Sequence, residues 1–215
     1  IILEVNSKII GMAGLIPSKL KYINEISEAV WFTDFYILKE FLERHHNKQF
    51  KDLVQNELYQ LIGANRTTFL PLEKFTLDII PPTEIDQYFR MQKIHGFVHD
   101  QGAALLGGVS GHAGLFSNAN DIAKIMQMYL WNGSYGNDQY IKSETIDLFN
   151  SCNFCDADVR RGVGFDKPQL EDIGPTCGCI SMNSFGHSGF TGTFTWADPD
   201  EEIIYPKNQY KKCIK

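Results

Sequence analysis

Along the chain, stretches where apolar residues return every three or four positions alternate with stretches broken by glycine and proline. Over residues 34–44, Phe35, Ile37, Leu38, Phe41 and Leu42 fall at helical spacing and predict an amphipathic helix ending near His45-His46-Asn47. The two histidines then read as a helix C-terminus satisfying its last carbonyls. A second helix is predicted over residues 50–62, with Gly63 where a left-handed residue would close it. Residues 64–83 read as an extended connection, because Pro81-Pro82 forbids helix there. Between 102 and 114 stand Gly102, Gly107, Gly108, Gly111 and Gly114, a density that predicts tight turns without regular structure. Residues 120–131 place Ile122, Ile125, Met126, Tyr129 and Leu130 on one helical face, and Asn132-Gly133 stops that helix. Its methionines, Met126 and Met128, and its aromatics read as core. Ser143 is the predicted N-cap of a short helix through Ile146, Leu148 and Phe149. Toward the end, the alternation around Thr191, Thr193 and Thr195 with Phe194 and Trp196, then Asp198-Pro199-Asp200 before Ile203-Ile204-Tyr205, predicts a hairpin.

Helices followed by strands predict an α/β (α+β) chain: a mainly helical portion over 1–184 and edge strands over 185–215, in one structural domain. At 215 residues the chain is long enough to bury roughly 70% of its unfolded surface, so its cysteines are not needed as staples. With 20 Lys+Arg against 26 Asp+Glu, the net charge of −6 supplies no global positive field. Nucleic acid and anionic membrane surfaces are therefore disfavoured, leaving small-molecule or protein partners. No run of about 18 apolar residues exists to span a membrane. The opening Ile1-Ile2-Leu3-Glu4-Val5 has neither an initiating Met nor the architecture of a signal peptide, and reads as a chain entered in mid-domain.

The strongest local chemistry is Phe185-Gly186-His187-Ser188-Gly189-Phe190-Thr191-Gly192-Thr193 at the mouth of the predicted strand. Glycines flanking a His-Ser pair let a ligand lie against an edge strand, where backbone groups bond it and the imidazole reaches it. A satisfied structural histidine is the competing reading. A second run, Val109-Ser110-Gly111-His112-Ala113-Gly114-Leu115-Phe116-Ser117, is either a turn capping the next helix or a wall of the cleft, with His112 the candidate lining residue.

Taken with His99-Asp100-Gln101-Gly102-Ala103-Ala104 and Asn120-Asp121-Ile122-Ala123-Lys124, these two runs resemble the β-lactamase-related serine hydrolases over residues 32–205. That group includes class C β-lactamases, penicillin-binding D-alanyl-D-alanine carboxypeptidases and esterases; the branch most similar in feel is the exo-acting N-acetylmuramyl-L-alanine amidases. The resemblance implies the serine β-lactamase/penicillin-binding transpeptidase-like fold, an antiparallel sheet with a helical subdomain, the sheet here incomplete. It implies hydrolysis of an amide or ester, such as a peptidoglycan fragment, through an acyl-serine, with no cofactor and no metal. It also implies a periplasmic or extracytoplasmic setting and, in some relatives, a glycoside hydrolase domain on the same polypeptide.

The family pattern has three parts. A Ser-x-x-Lys at a helix N-terminus sets an amine one turn from the nucleophilic hydroxyl. A Tyr-x-Asn or Tyr-x-Asp supplies a phenolic proton carrier and an orienting group. A Lys-Thr-Gly or His-x-Gly on an edge strand binds substrate carboxylate beside the oxyanion hole. His187, Ser188 and Gly189 match the third part, which makes His187 catalytic and Ser188 and Gly189 substrate-binding by resemblance. Phe32-Thr33-Asp34 stands at the second part, with Asp34 in the orienting place but Phe32 where a phenol is expected. The literal Ser18-Lys19-Leu20-Lys21 reads as a solvated loop, because only 14 positions separate Ser18 from Phe32, where the family has a long helix and a connection. Gly11-Met12-Ala13-Gly14-Leu15-Ile16-Pro17 is similar to the loop that follows the nucleophile, so the true motif is expected outside this chain. A catalytically inactive binding or accessory domain is the alternative that Phe32 and the missing nucleophile leave open. Pro206-Lys207-Asn208 is expected to break the last strand.

The cysteines allow another class. Cys152-x-x-Cys155 and Cys177-x-Cys179 are open to a disulfide, to a structural zinc site or to unpaired packing.

Overall fold

The computed structural model describes residues 39, 42–152, 155, 160–169, 176 and 180–207, together with four short strand backbones before residue 29. Its contacts group into two units interleaved in sequence: Ile1–Glu57 with Thr68–Phe116, and Leu58–Thr67 with Ser117–Lys215.

In the first unit, β1 (Ile2–Val5) pairs antiparallel with β2 (Lys8–Met12), and β3 (Lys19–Tyr22) with β4 (Glu25–Glu28). Residues 42–46 are helical and Asn47, at φ 50°, ends that helix where the pattern placed its stop. Next, α1 (Phe50–Val54) starts as predicted but widens into a π-helical turn over Gln55–Tyr59. Asn56, a weak helix former, offers little resistance to that widening. The expected extended connection instead holds two 3₁₀ turns, Pro71–Glu73 and Leu77–Ile79. Proline suits the first turn of such a segment, because it gives up an N–H that would have no partner anyway.

The hairpin β5 (Glu84–Asp86) and β6 (Gln92–Ile94) is organised by one carboxylate. Asp86, 3% exposed, accepts the backbone N–H groups of Tyr88, Phe89 and Arg90 at 3.0, 2.9 and 3.1 Å, and the Arg90 Nε at 3.1 Å. Arg90 in turn donates to the Val98 and His99 carbonyls. The Phe89 and Tyr88 amides, helped by Arg90, outweigh burial and hold the Asp86 carboxyl well below the usual aspartate range. A depressed carboxylate stabilises the fold above its unfolded value near 3.8, and that contribution drains away as pH falls through the lower folded value. Asp86→Asn is therefore expected to flatten the acid limb of a thermal-stability profile below about pH 4, where the unfolded carboxyl protonates. An unchanged acid limb would contradict this assignment.

The Gly-rich stretch is not wholly irregular. Asp100 accepts the Ala103 N–H at 2.7 Å and so caps α2 (Gln101–Leu105), a helix that glycine density had argued against. Gly114, at φ 112°, is required in the following loop, because a side chain there would sit 2.3 Å from the Gly108 carbonyl oxygen.

The second unit is built around α3 (Ala119–Leu130), capped by the Asn118 side chain on the Asp121 N–H at 2.9 Å. One flank packs Met128 against Ile62 and Ala64, with Gly63 between them at φ 69° as its C-terminal position predicts. Tyr135, from the small ladder of β7 (Ser134–Tyr135) and β8 (Asp138–Gln139), joins this cluster. The other flank packs Met126 against Phe185 and Ala197 of the sheet. Helix α4 (Ser143–Asn150) begins with Ser143 as its first helical residue. The extended cap position belongs to Lys142, φ −64° and ψ 141°, so Ser143 makes no capping bond.

The sheet order is β11 (Ile203–Lys207), β10 (Phe194–Asp198), β9 (Phe185–Ser188), all antiparallel. Strand β11 runs through Pro206, paired with Thr195, where a break was expected. As an edge strand it tolerates the missing N–H. Cys152 and Cys155 form a disulfide, which settles the first cysteine pair against zinc and free thiols. Cys177 and Cys179 lie outside the described residues, among which no group of three or more His, Cys, Asp or Glu side chains could hold a metal ion.

Candidate active site

The site forms where β9 changes from buried to exposed. Phe185 and Gly186 are buried, whereas His187 and Ser188 face solvent. Trp196 lies across Gly186: a side chain there would meet its ring at 2.3 Å and the Thr195 carbonyl oxygen at 2.3 Å. The Trp196 Nε1 donates to Ser184 Oγ at 2.9 Å and fixes the indole. Beneath the strand, the Lys167 ammonium donates to the Asn183 and Ser184 carbonyls and sits 5.6 Å from the Phe185 ring centre; burial, with Arg160 nearby, pushes it down to about 8.

Register decides which backbone groups a ligand can reach. Gly189 donates its N–H to the Thr193 carbonyl at 2.8 Å, so the odd-numbered residues of β9 bond toward β10. Gly186 bonds the other way, exchanging both hydrogen bonds with Asp166 at 2.8 and 3.1 Å. The main-chain groups of Ser188 point to that same outer edge, and among the described residues the Asp166 segment pairs with β9 only at Gly186. Among the described residues, no other segment pairs with the outer edge of β9 at Ser188. Gly189 serves by its lack of a side chain, since a Cβ would lie 2.2 Å from Thr193 Oγ1.

Asp166 also meets His187. Its Oδ2 lies 2.9 Å from His187 Nδ1, and its Oδ1 lies 3.3 Å from Arg161 Nε. Arg161 and Asp166 face each other across a tight turn closed by Gly162 N–H to the Phe165 carbonyl at 2.8 Å. Burial raises the Asp166 carboxyl, but the His187 hydrogen bond and the Arg161 charge override it and leave the group below its ordinary value. Sequence reasoning missed both Asp166 and Arg161. Their only signal was a charged run, Arg160-Arg161 and Asp166-Lys167, with no spacing that ties it to a histidine 21 residues on.

His112 belongs to the first unit and is engaged at both ring nitrogens. Nδ1 lies 2.8 Å from Ser110 Oγ and Nε2 lies 3.0 Å from Asp100 Oδ1. The trio copies the order of a hydrolytic triad, but Ser110 is only 2% exposed, so its hydroxyl is no nucleophile for an external substrate. Its structural effect is a clasp between the Gly-rich loop and the cap of α2. Beside this, an apolar cavity of about 350 Å³ is lined by Leu70, Ile94, Phe97 and Phe116. Asp34, and Phe32 with it, lies outside the described residues. Lys21 of the literal Ser-x-x-Lys is in β3, paired with Ile26, whereas a helical turn is what that motif needs.

A helix-backed antiparallel sheet carrying a His-Ser-Gly edge strand defines a β-lactamase/penicillin-binding type of domain. The chain belongs to the β-lactamase family, whose family model, Beta-lactamase, matches residues 33–205. It is 36% identical over 179 residues to an Escherichia coli K12 protein named "Putative D-alanyl-D-alanine carboxypeptidase", covering 77% of this chain and 41% of that protein. A Salmonella typhi protein of the same name matches to the same extent. The chain thus spans about two-fifths of the length of these curated relatives. In fold it is similar to the octameric penicillin-binding protein homologue from Pyrococcus abyssi, at TM-score 0.55 and 16% identity, over 85% of this chain and 39% of that one. The penicillin binding protein from Bacillus halodurans also aligns at TM-score 0.55, with 12% identity, over 86% and 52% of the two chains. No helix among the described residues is long and apolar enough to cross a membrane.

Proposed function

We propose that this chain is the substrate-recognition part of a serine hydrolase that cleaves an amide or ester in a peptidoglycan fragment through an acyl-serine intermediate. The observation that carries the reading is the exposed His187, anchored by Asp166, beside the open main-chain edge at Ser188. The substrate peptide lies along that edge, Ser188 bonds it, Gly189 lets the end of the strand close on Thr193 beside it, and His187 reaches the reacting centre. The acyl-accepting serine comes from residues outside these 215. Lys21 lies in a strand, β3, and not on the helical turn that a Ser-x-x-Lys pair uses. Asp34 is the orienting group in this reading, and His112 supports the loop through its clasp. The Cys152–Cys155 disulfide fits an oxidising, extracytoplasmic compartment, where such substrates occur. Some members of the amidase branch carry a glycoside hydrolase domain on the same polypeptide, an arrangement this reading is compatible with.

Fluorescent penicillin incubated with the intact natural protein tests the reading. One acylated serine, identified by mass spectrometry, is expected, with labelling slowed on the order of 100-fold by His187→Ala. Finding no acylated serine would overturn it. Phe32 favours a second reading, a domain that binds without turnover, because a phenyl ring carries no proton. Saturable binding of a muropeptide with no product released would establish that instead.

A further inference from the structure

We infer that Asp166 and His187 form a proton-carrying dyad, in which Asp166 is the positioning residue and His187 Nε2 is the group that takes and returns the proton at the open edge of β9. The inference rests on the hydrolase reading for its chemistry but on geometry for its assignment. Asp166 is ionised, and an ionised carboxylate only accepts hydrogen bonds, so the 2.9 Å contact requires His187 Nδ1 to carry the hydrogen. In the neutral ring that leaves the Nε2 lone pair bare. Among the described residues Nε2 has no protein partner, and the His187 side chain is 49% exposed.

The carboxylate is placed by the backbone. Two main-chain hydrogen bonds hold Asp166 to Gly186, and Trp196 presses on Gly186 from the other side. Among the described residues, the charged groups that face the imidazole are Asp166 and, behind it, Arg161. Lys167 is turned to the Asn183 and Ser184 carbonyls, and the cross-strand neighbour of His187 on β10, Thr195, is uncharged. A residue that merely bound a substrate carboxylate would need a donor at Nε2, which this arrangement provides only when the ring is cationic.

The step balances without a cofactor. A hydroxyl, of serine in acylation or of water in deacylation, attacks the carbonyl carbon while its proton passes to His187 Nε2. As the tetrahedral intermediate collapses, the bond to the leaving group breaks and Nε2 returns the proton to the departing nitrogen or oxygen. Asp166 stays ionised throughout and stabilises the transient imidazolium.

Ring ¹⁵N NMR of this chain, above the titration of its histidines, is the decisive measurement and needs no substrate. His187 is expected as the Nδ1–H tautomer, changing to Nε2–H in Asp166→Ala, while the His99 and His112 signals stay in place to show that the variant is folded. A wild-type Nε2–H tautomer, or a spectrum indifferent to the substitution, would overturn the inference. Turnover of diacetyl-L-lysyl-D-alanyl-D-alanine by the intact natural protein gives a second reading. Asp166→Asn is expected to lower kcat about 10- to 100-fold with KM within roughly twofold, and His187→Gly to lose about 100-fold or more, partly restored by added imidazole. A change in KM alone, with no rescue, would make His187 a binding group and defeat the dyad. Failure of the wild-type protein either to release D-alanine or to acylate with penicillin would sink the hydrolase reading, while the ring spectrum still decides how Asp166 holds His187.

Discussion

Asp121→Ala is expected to lower the stability of the chain by about 2–3 kcal/mol, a fall in Tm of roughly 5–10 °C for a protein of this size. Asp121 is 4% exposed at the first turn of α3. One carboxylate oxygen accepts the Arg66 backbone N–H at 2.6 Å and the other lies 3.2 Å from Lys124 Nζ. Lys124 also donates to the Gly63 carbonyl. One side chain therefore fastens the start of α3 to the 58–67 segment, through a backbone donor with no other partner in view. Alanine strands that N–H and leaves an ammonium with half its partners. Because the Lys124 side chain is 32% exposed, water recovers part of the loss, which is why the expected cost lies below the usual range for a broken buried pair. Asp121→Asn keeps an acceptor for Arg66 and is expected to cost about half as much. Urea unfolding of Asp121→Ala, Lys124→Met and the variant carrying both, combined as a double-mutant cycle, measures the coupling. If Asp121→Ala unfolds within 0.5 kcal/mol of the parent, the clamp is not what holds α3.

That clamp also explains what the sequence resemblance was reading. Asn120-Asp121-Ile122-Ala123-Lys124 and His99-Asp100 looked like parts of a catalytic domain, and the structure turns both into fastenings. Asp121 and Lys124 tie α3 down, and Asp100 caps α2 while holding His112. Helix α3 was legible because its apolar stripe repeats locally, and both of its flanks are covered. The β10–β11 hairpin was legible because its turn is local too. What escaped was long-range or depended on a single capping bond. Nothing in a row of glycines announces that Asp100 will nucleate a helix through them. No spacing rule joins Asp166 to His187, because their meeting depends on a bridge between a tight turn and β9. His187, Ser188 and Gly189 were singled out by motif, but their backbone bonding was not legible there: register gives Gly189's N–H to Thr193 and turns the main-chain groups of Ser188 to the outer edge.

That register depends on Gly186, and its replacement is the second large effect expected. A Cβ at this position would stand 2.3 Å from the Thr195 carbonyl oxygen and 2.3 and 2.5 Å from two carbons of the Trp196 ring. Neither neighbour yields cheaply. The carbonyl belongs to the central strand of the sheet, and Trp196 is 4% exposed with its Nε1 bonded to Ser184. Gly186→Ala is therefore expected to cost about 3 kcal/mol, and Gly186→Val to prevent β9 from pairing at all. The loss extends to the site. With Gly186 displaced, its two main-chain bonds to Asp166 break, and the carboxylate no longer meets His187. Near-UV circular dichroism of the Trp196 environment, thermal unfolding and the His187 ring spectrum should change together in Gly186→Ala. Gly164→Ala is the control, since a side chain there meets nothing within 4 Å and the backbone needs no left-handed conformation; it is expected to stay within about 0.5 kcal/mol of the parent. If Gly186→Ala melts with the control and keeps the Nδ1–H signal of His187, then Trp196 does not press on β9 as described, and the anchoring of Asp166 must have another source.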